Sequence, residues 1–146
     1  MAQNTNDMHK SIRKYTETVK GSADLFVGEV EVGMILNPTK EPYYMSAGNV
    51  KFHTKARTNW HTHDNGQVLV VTNGIGYYQE EGKEIAVIRE GDVVKIPAFV
   101  KHWHGASHEA SMTHIAIISE ADKKTVVDWM EPVTDEQFDE ILKSRK

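Results

Sequence analysis

From Leu25 onward, apolar residues recur in short runs dominated by Val, Ile and Tyr, with clusters of turn-forming residues between them. The breaks fall at NPTKEP, HDNG, TNG, EEGK and REGD, where Pro, Gly, Asn and Asp each favour a turn conformation. This punctuation predicts strands over residues 26–36, 45–53, 68–72, 76–80, 84–89, 92–96 and 112–119, with no helix between them. A succession of short strands without crossover helices predicts an all-β barrel or sandwich. Residues 1–23 are polar, rich in Asn, Thr, Lys and Ser, and weakly periodic. They are expected to form an arm, or a strand contributed to a neighbour, ahead of a single domain over residues 24–146.

One helix is expected, near the end of the chain. Thr134 is placed to cap the amide of Gln137, and Gln137 to reach back, with Val133 and Phe138 spaced as a hydrophobic staple. Phe138, Ile141 and Leu142 are expected to share one face. The segment is too short to stand alone and reads as a strap packed on the outside of the barrel.

Composition narrows the chemistry. A chain of 146 residues can bury the core of one ordinary domain. It has no cysteine, which excludes a disulfide scaffold, a thiolate metal site and a cysteine nucleophile. Any metal must therefore rest on imidazole and oxygen. The net charge is −4, with 17 scattered basic residues, so the basic stripe that nucleic acid or an anionic membrane requires is missing. No run is apolar enough for a signal peptide or a membrane span. A cytoplasmic protein acting on a small molecule is the expectation.

The candidate chemistry lies in NWHTHDNGQVLVVTNG. His61 and His63 are one residue apart and point to the same side of an extended backbone. Gln67 follows an Asp-Asn-Gly turn that can bring its amide oxygen to the same point. A fourth ligand must come from elsewhere, and His102 in GDVVKIPAFVKHWHGAS is the candidate, with His104 two residues on. A lone strand histidine is more often a hydrogen-bonded polar residue than a ligand. Two His-x-His pairs in one β chain are harder to explain as packing, because burying several imidazoles without partners is costly.

These residues resemble the two sequence motifs of the cupin superfamily. In the first, His61, His63 and Gly74 stand at the family spacing, while Lys55 replaces the opening glycine and Gln67 the glutamate. In the second, Gly91, Pro97 and His102 fit, whereas Phe99 replaces a glycine and Ala106 an asparagine. The likeness covers roughly residues 45–118. It is similar in more detail to the small manganese-dependent cupin hydroxynitrile lyases and to carboxymuconolactone-decarboxylase-associated cupin domains, through ARTNWHTH with Gln67, KHWHGA, MTH and VDWMEPVTDEQF. The resemblance implies a cupin double-stranded β-helix, or jelly-roll barrel, and a divalent metal on His61, His63, Gln67 and His102. Manganese rests on the resemblance alone; the donor types also suit Fe, Ni, Zn or Co.

Neutral imidazoles and a neutral amide leave the charge of such an ion uncompensated, and four protein ligands on an octahedral ion leave two positions for substrate. His104 shares the side of His102, and His114 can reach inward from the last long strand, so each is a candidate general base or a hydrogen-bond partner of the ligands. The resemblance implies a metal-dependent lyase that breaks a carbon–carbon bond in a small hydroxy compound. Ile118 departs from it, since the lyase pattern has a polar glutamine there. A cupin dioxygenase and a non-catalytic small-ligand-binding cupin are the alternative readings. Trp60, Trp103, Tyr77 and Tyr78 are left without a role, and Trp129 and Met130 are expected to seal the barrel. Edge strands that need protection point to a homodimer or higher homo-oligomer.

Overall fold

A computed structural model describes residues 12–120 and 127–143. The strands are β1 (Val19–Lys20), β2 (Phe26–Val27), β3 (Val30–Leu36), β4 (Met45–Phe52), β5 (Arg57–Thr58), β6 (His61–His63), β7 (Gln67–Glu80), β8 (Ala86–Arg89), β9 (Val93–Ile96), β10 (His102–Ala106), β11 (Met112–Ser119) and β12 (Val127–Trp129). All pairings are antiparallel, and together they curl into the expected all-β jelly-roll barrel. One sheet runs β1-β3-β4-β11-β7-β9; the facing sheet joins β7 to β8 and β10, with β10 continuing to β5 and β2, and to β6 and β12.

Two strands expected at 68–72 and 76–80 are one strand. β7 passes from the first sheet, where it pairs with β11, to the second, where it pairs with β10. The bend lies at Gly74, which has φ +81° and faces the Ser111 carbonyl so closely that a side chain would collide with it. TNG is thus a corner within a strand, not a hairpin turn. The strand expected at 26–36 is divided, with β2 on β5 and β3 on β4. Of the expected arm, residues 1–11 lie outside the described residues, while Val19 and Lys20 pair with β3 of the same chain.

Apolar packing falls into two clusters. The inner one, among Val30, Phe52, Leu69, Val71, Ile88, Ile96 and Met112, fills the barrel. The outer one covers the far side of the second sheet, where Trp60, Tyr77 and Trp103 meet Val133, Phe138 and Ile141 of the C-terminal strap. Two short helices, α1 (Asp135–Phe138) and α2 (Glu140–Lys143), form this strap. The capping box of Thr134 and Gln137 is present, with Gln137 N donating to Thr134 Oγ1 over 3.1 Å. Val133 and Phe138 are buried as the staple requires. Leu142 is exposed, contrary to the expected shared face, because the helix breaks at Asp139 and Ile141 takes the inward position. Arg57, itself buried, donates to the Val133 carbonyl and the Asp135 carboxylate and ties the strap to β5. No helix among the described residues is long and apolar enough to cross a membrane.

Candidate metal centre

The residues that depart from the expected glycines explain themselves in the backbone. Lys55 has φ +69° and Phe99 φ +64°, so both keep the left-handed conformation that glycine adopts freely. Phe99 N donates to the His63 carbonyl over 2.9 Å and holds the loop after β9 against the end of β6.

The sheets bring the six candidate side chains to one place. His61 and His102 are direct cross-strand partners on β6 and β10, with ring centroids 4.2 Å apart. The His63 ring lies 5.0 Å from that of His61 and 5.6 Å from that of His102. His104, also on β10, lies 5.3 Å from His61. His114 reaches in from β11 of the facing sheet, and its Nε2 is 3.0 Å from His104 Nδ1. Phe52 packs against both rings of this pair.

Backbone carbonyls decide which nitrogens are available. His61 Nδ1 donates to the Asn59 carbonyl and His102 Nδ1 to the Val100 carbonyl, both over 2.8 Å. A carbonyl only accepts, so each ring carries its proton on Nδ1 and keeps a lone pair on Nε2. Such a partner on the far nitrogen is what orients a ligating imidazole. His102 Nε2, His104 Nε2, both ring nitrogens of His63 and Gln67 Oε1 are buried with no hydrogen-bond partner. Leaving one such atom unsatisfied costs about 1–3 kcal/mol, and the acceptors among them, Gln67 Oε1, His102 Nε2 and the unprotonated nitrogen of His63, fit a cation that would satisfy them. The ligand atoms of His61, His102 and His104 all lie within 4.8 Å of one another, and these three histidines could hold a metal ion.

Burial lowers the imidazole pKa values throughout. His61 and His104 fall well below the usual range, chiefly by burial, with His102 adding to the effect on His61 and His114 to that on His104. Burial, and then His102, takes His63 down to about 4; burial takes His114 to about 4 as well. His102 is lowered by the same cause. Burial therefore favours the neutral imidazoles that metal ligation requires.

A cavity of about 230 Å³ opens beside these groups. His61, His63, Gln67, His104 and His114 line one side; Phe26, Val32, Met34, Val50 and Ile118 make much of the rest. Trp129 also lines it and stacks on His61, with centroids 4.4 Å apart and planes at 28°. Trp129, expected to seal the barrel, meets His61 because β12 pairs with β6, a contact that no spacing along the chain encodes. Trp60, Tyr77 and Trp103 belong to the outer cluster, whereas Tyr78 belongs to the inner one, 5.9 Å from His102.

A curled two-sheet barrel with clustered histidines along one cavity is the architecture of a cupin, and the chain belongs to that superfamily. Residues 48–118 match the cupin domain family. Over 119 residues the chain is 46% identical to an (R)-mandelonitrile lyase of Granulicella tundricola, covering 82% of this chain and 89% of that one. A cupin-like protein of Thermotoga maritima has the same fold at TM-score 0.80 and 38% identity, covering 87% of this chain and 96% of that one. A cupin 2 conserved barrel domain protein from Rhodopseudomonas palustris shares the fold at TM-score 0.61 and 16% identity, over 86% of this chain and 81% of that one.

Proposed function

We propose that this cupin is a metal-dependent lyase that cleaves a carbon–carbon bond in a small hydroxy compound, as a hydroxynitrile lyase does. The observation that carries the reading is the buried His104–His114 pair on the wall of an apolar cavity, beside the lone pairs of His61 and His102. The similarity to the mandelonitrile lyase supports the same reaction class.

In this reading His61, His63, Gln67 and His102 hold the ion, manganese by preference, and His104 stays outside the ligand set. A divalent ion on these neutral donors supplies Lewis acidity at full charge. The chain's own residues do the rest. His104 carries its proton on Nδ1 and donates it to His114 Nε2, which leaves His104 Nε2 free as a base. His104 Nε2 takes the hydroxyl proton of a cyanohydrin as the bond to the nitrile carbon breaks. The hydroxyl oxygen becomes a carbonyl, the bonding pair leaves with cyanide, and the proton passes from His104 to that anion. His114 steadies the transient imidazolium, while Phe52 and the apolar walls keep water from it. Ile118 makes the substrate's side wall apolar, so binding there depends on shape and not on a hydrogen bond.

The test is to load the purified protein with Mn(II), supply mandelonitrile, and follow benzaldehyde, cyanide and dissolved dioxygen together. Equimolar aldehyde and cyanide without oxygen uptake is the expected result. Oxygen consumption, or no cleavage of either an aromatic or an aliphatic cyanohydrin, would contradict the lyase reading.

A further inference from the structure

The structure assigns a role to the C-terminal strap: we propose that Trp129 is a positioning residue for His61, so that docking of the strap sets how tightly the centre holds its cation. This rests on the reading above that His61 is a ligand.

Two independent constraints meet at the His61 ring. The Nδ1 hydrogen bond to the Asn59 carbonyl fixes its tautomer and its rotation. The Trp129 indole lies against its face at 4.4 Å and 28°, while the His102 ring stands tilted beside it at 4.2 Å and 53°. An imidazole held this way has little freedom left, and its Nε2 lone pair is aimed before any ion arrives. Pre-orientation of this kind spares the ordering cost that a loose ligand meets on binding. The indole adds a second effect, because a cation on Nε2 withdraws electrons from the imidazole. An electron-poor ring is drawn more strongly to the face of an indole, so the stack favours the loaded state.

The strap is built to place that indole. Val127, Asp128 and Trp129 pair in register with His63, Thr62 and His61. The ladder continues as Met130 N donates to the Trp60 carbonyl over 2.8 Å and Trp60 N to the Glu131 carbonyl over 3.0 Å. Asn59 ties both parts together. Its carbonyl holds His61, and its side-chain amide donates to the Met130 carbonyl over 3.4 Å, next to Trp129. Farther along, Arg57 grips the Val133 carbonyl and Phe138 is buried in the outer cluster. The outer core that looks remote from the cavity thus anchors a side chain that contacts a proposed ligand.

The test uses the full chain and Co(II), which is paramagnetic and quenches nearby indole emission. The protein has three tryptophans, and the other two, Trp60 and Trp103, lie in the outer cluster. Wild type, Trp129→Phe, Trp129→Leu and His61→Ala are titrated with Co(II), with affinity read by calorimetry and quenching by fluorescence. Apo melting midpoints are recorded beside them. Trp129→Leu is expected to raise the Co(II) Kd by about 10-fold or more. Trp129→Phe, which keeps an aromatic face, is expected to stay closer to wild type, and both variants to lose most of the quenching. Should Trp129→Leu not fold, the Trp129→Phe and wild-type titrations still decide, since a wild-type emission untouched by stoichiometric Co(II) overturns the proposal. Co(II) binding that His61→Ala abolishes but Trp129→Leu leaves at wild-type affinity overturns this proposal alone, as does equal weakening by Phe and Leu. No Co(II) binding by the wild-type chain overturns the functional reading and this inference together.

Discussion

Replacing His104 with alanine is expected to lower kcat for cyanohydrin cleavage by about 10²–10⁴-fold while one divalent ion per chain remains bound. The two readouts matter together, because the structure allows His104 two roles. Its ligand atom lies within 4.8 Å of those of His61 and His102, which is close enough for it to join them around an ion. Its Nδ1 is also engaged with His114 Nε2 at 3.0 Å, as a proton carrier's would be. Retained metal with lost turnover puts His104 in the base role. Loss of metal would place it among the ligands and would require His63 and Gln67 to be reassigned. His114→Ala should act in the same direction with a smaller loss, since His114 works through His104. Atomic absorption on each variant, beside its kcat, decides the matter.

Acid should unfold the metal-free protein between about pH 6.5 and 4. The sign follows from the direction of the shifts. A buried neutral imidazole has a folded-state pKa below its unfolded value, so the unfolded chain binds more protons in the interval between the two. Stability is therefore complete above the unfolded value and falls as pH drops towards the folded one. His63 and His114 each move from 6.5 to about 4, which corresponds to roughly 3 kcal/mol apiece. His61, His102 and His104 push in the same direction. Against a typical domain stability of about 5–15 kcal/mol, that loss removes the margin of a domain at the lower end of the range. Circular dichroism across a pH series in the presence of a chelator reads it. Loading with metal should move the midpoint to lower pH, because ligation competes with protonation. A metal-free protein that keeps its fold and its melting temperature down to pH 4 would contradict the picture of a neutral buried cluster.

How far the sequence carried can be seen residue by residue. The strands expected at 45–53 and 112–119 from runs of strand-forming residues match β4 and β11 to within a residue. β10 shows no alternation, because His102 and His104 face the barrel interior while Trp103 is covered by the strap, and all five of its residues are buried. The capping box at Thr134 was legible because it is a local interaction between neighbours in the chain. The corner at Gly74 was not, because only the approach of the Ser111 carbonyl from another part of the chain makes it a corner.

The candidate site divides in the same way. The His-x-His spacing placed His61 and His63 on one side, and the structure sets all six named side chains around one cavity or directly behind it. Lys55 and Phe99 looked like departures from a glycine pattern, yet both keep the positive φ that the pattern encodes. What the sequence withheld was long-range: the His104–His114 hydrogen bond between facing sheets, and the indole that β12 lays on His61.

The most direct test of the metal centre is elemental analysis of the purified protein beside His61→Ala and His102→Ala, after reconstitution with Mn, Fe, Ni and Zn in turn. Near-stoichiometric divalent metal in the wild-type protein, lost in both variants while each remains folded by circular dichroism, is the predicted result. A wild-type protein that takes up no metal under any of these conditions would contradict the account and leave the histidines as part of the barrel's interior alone.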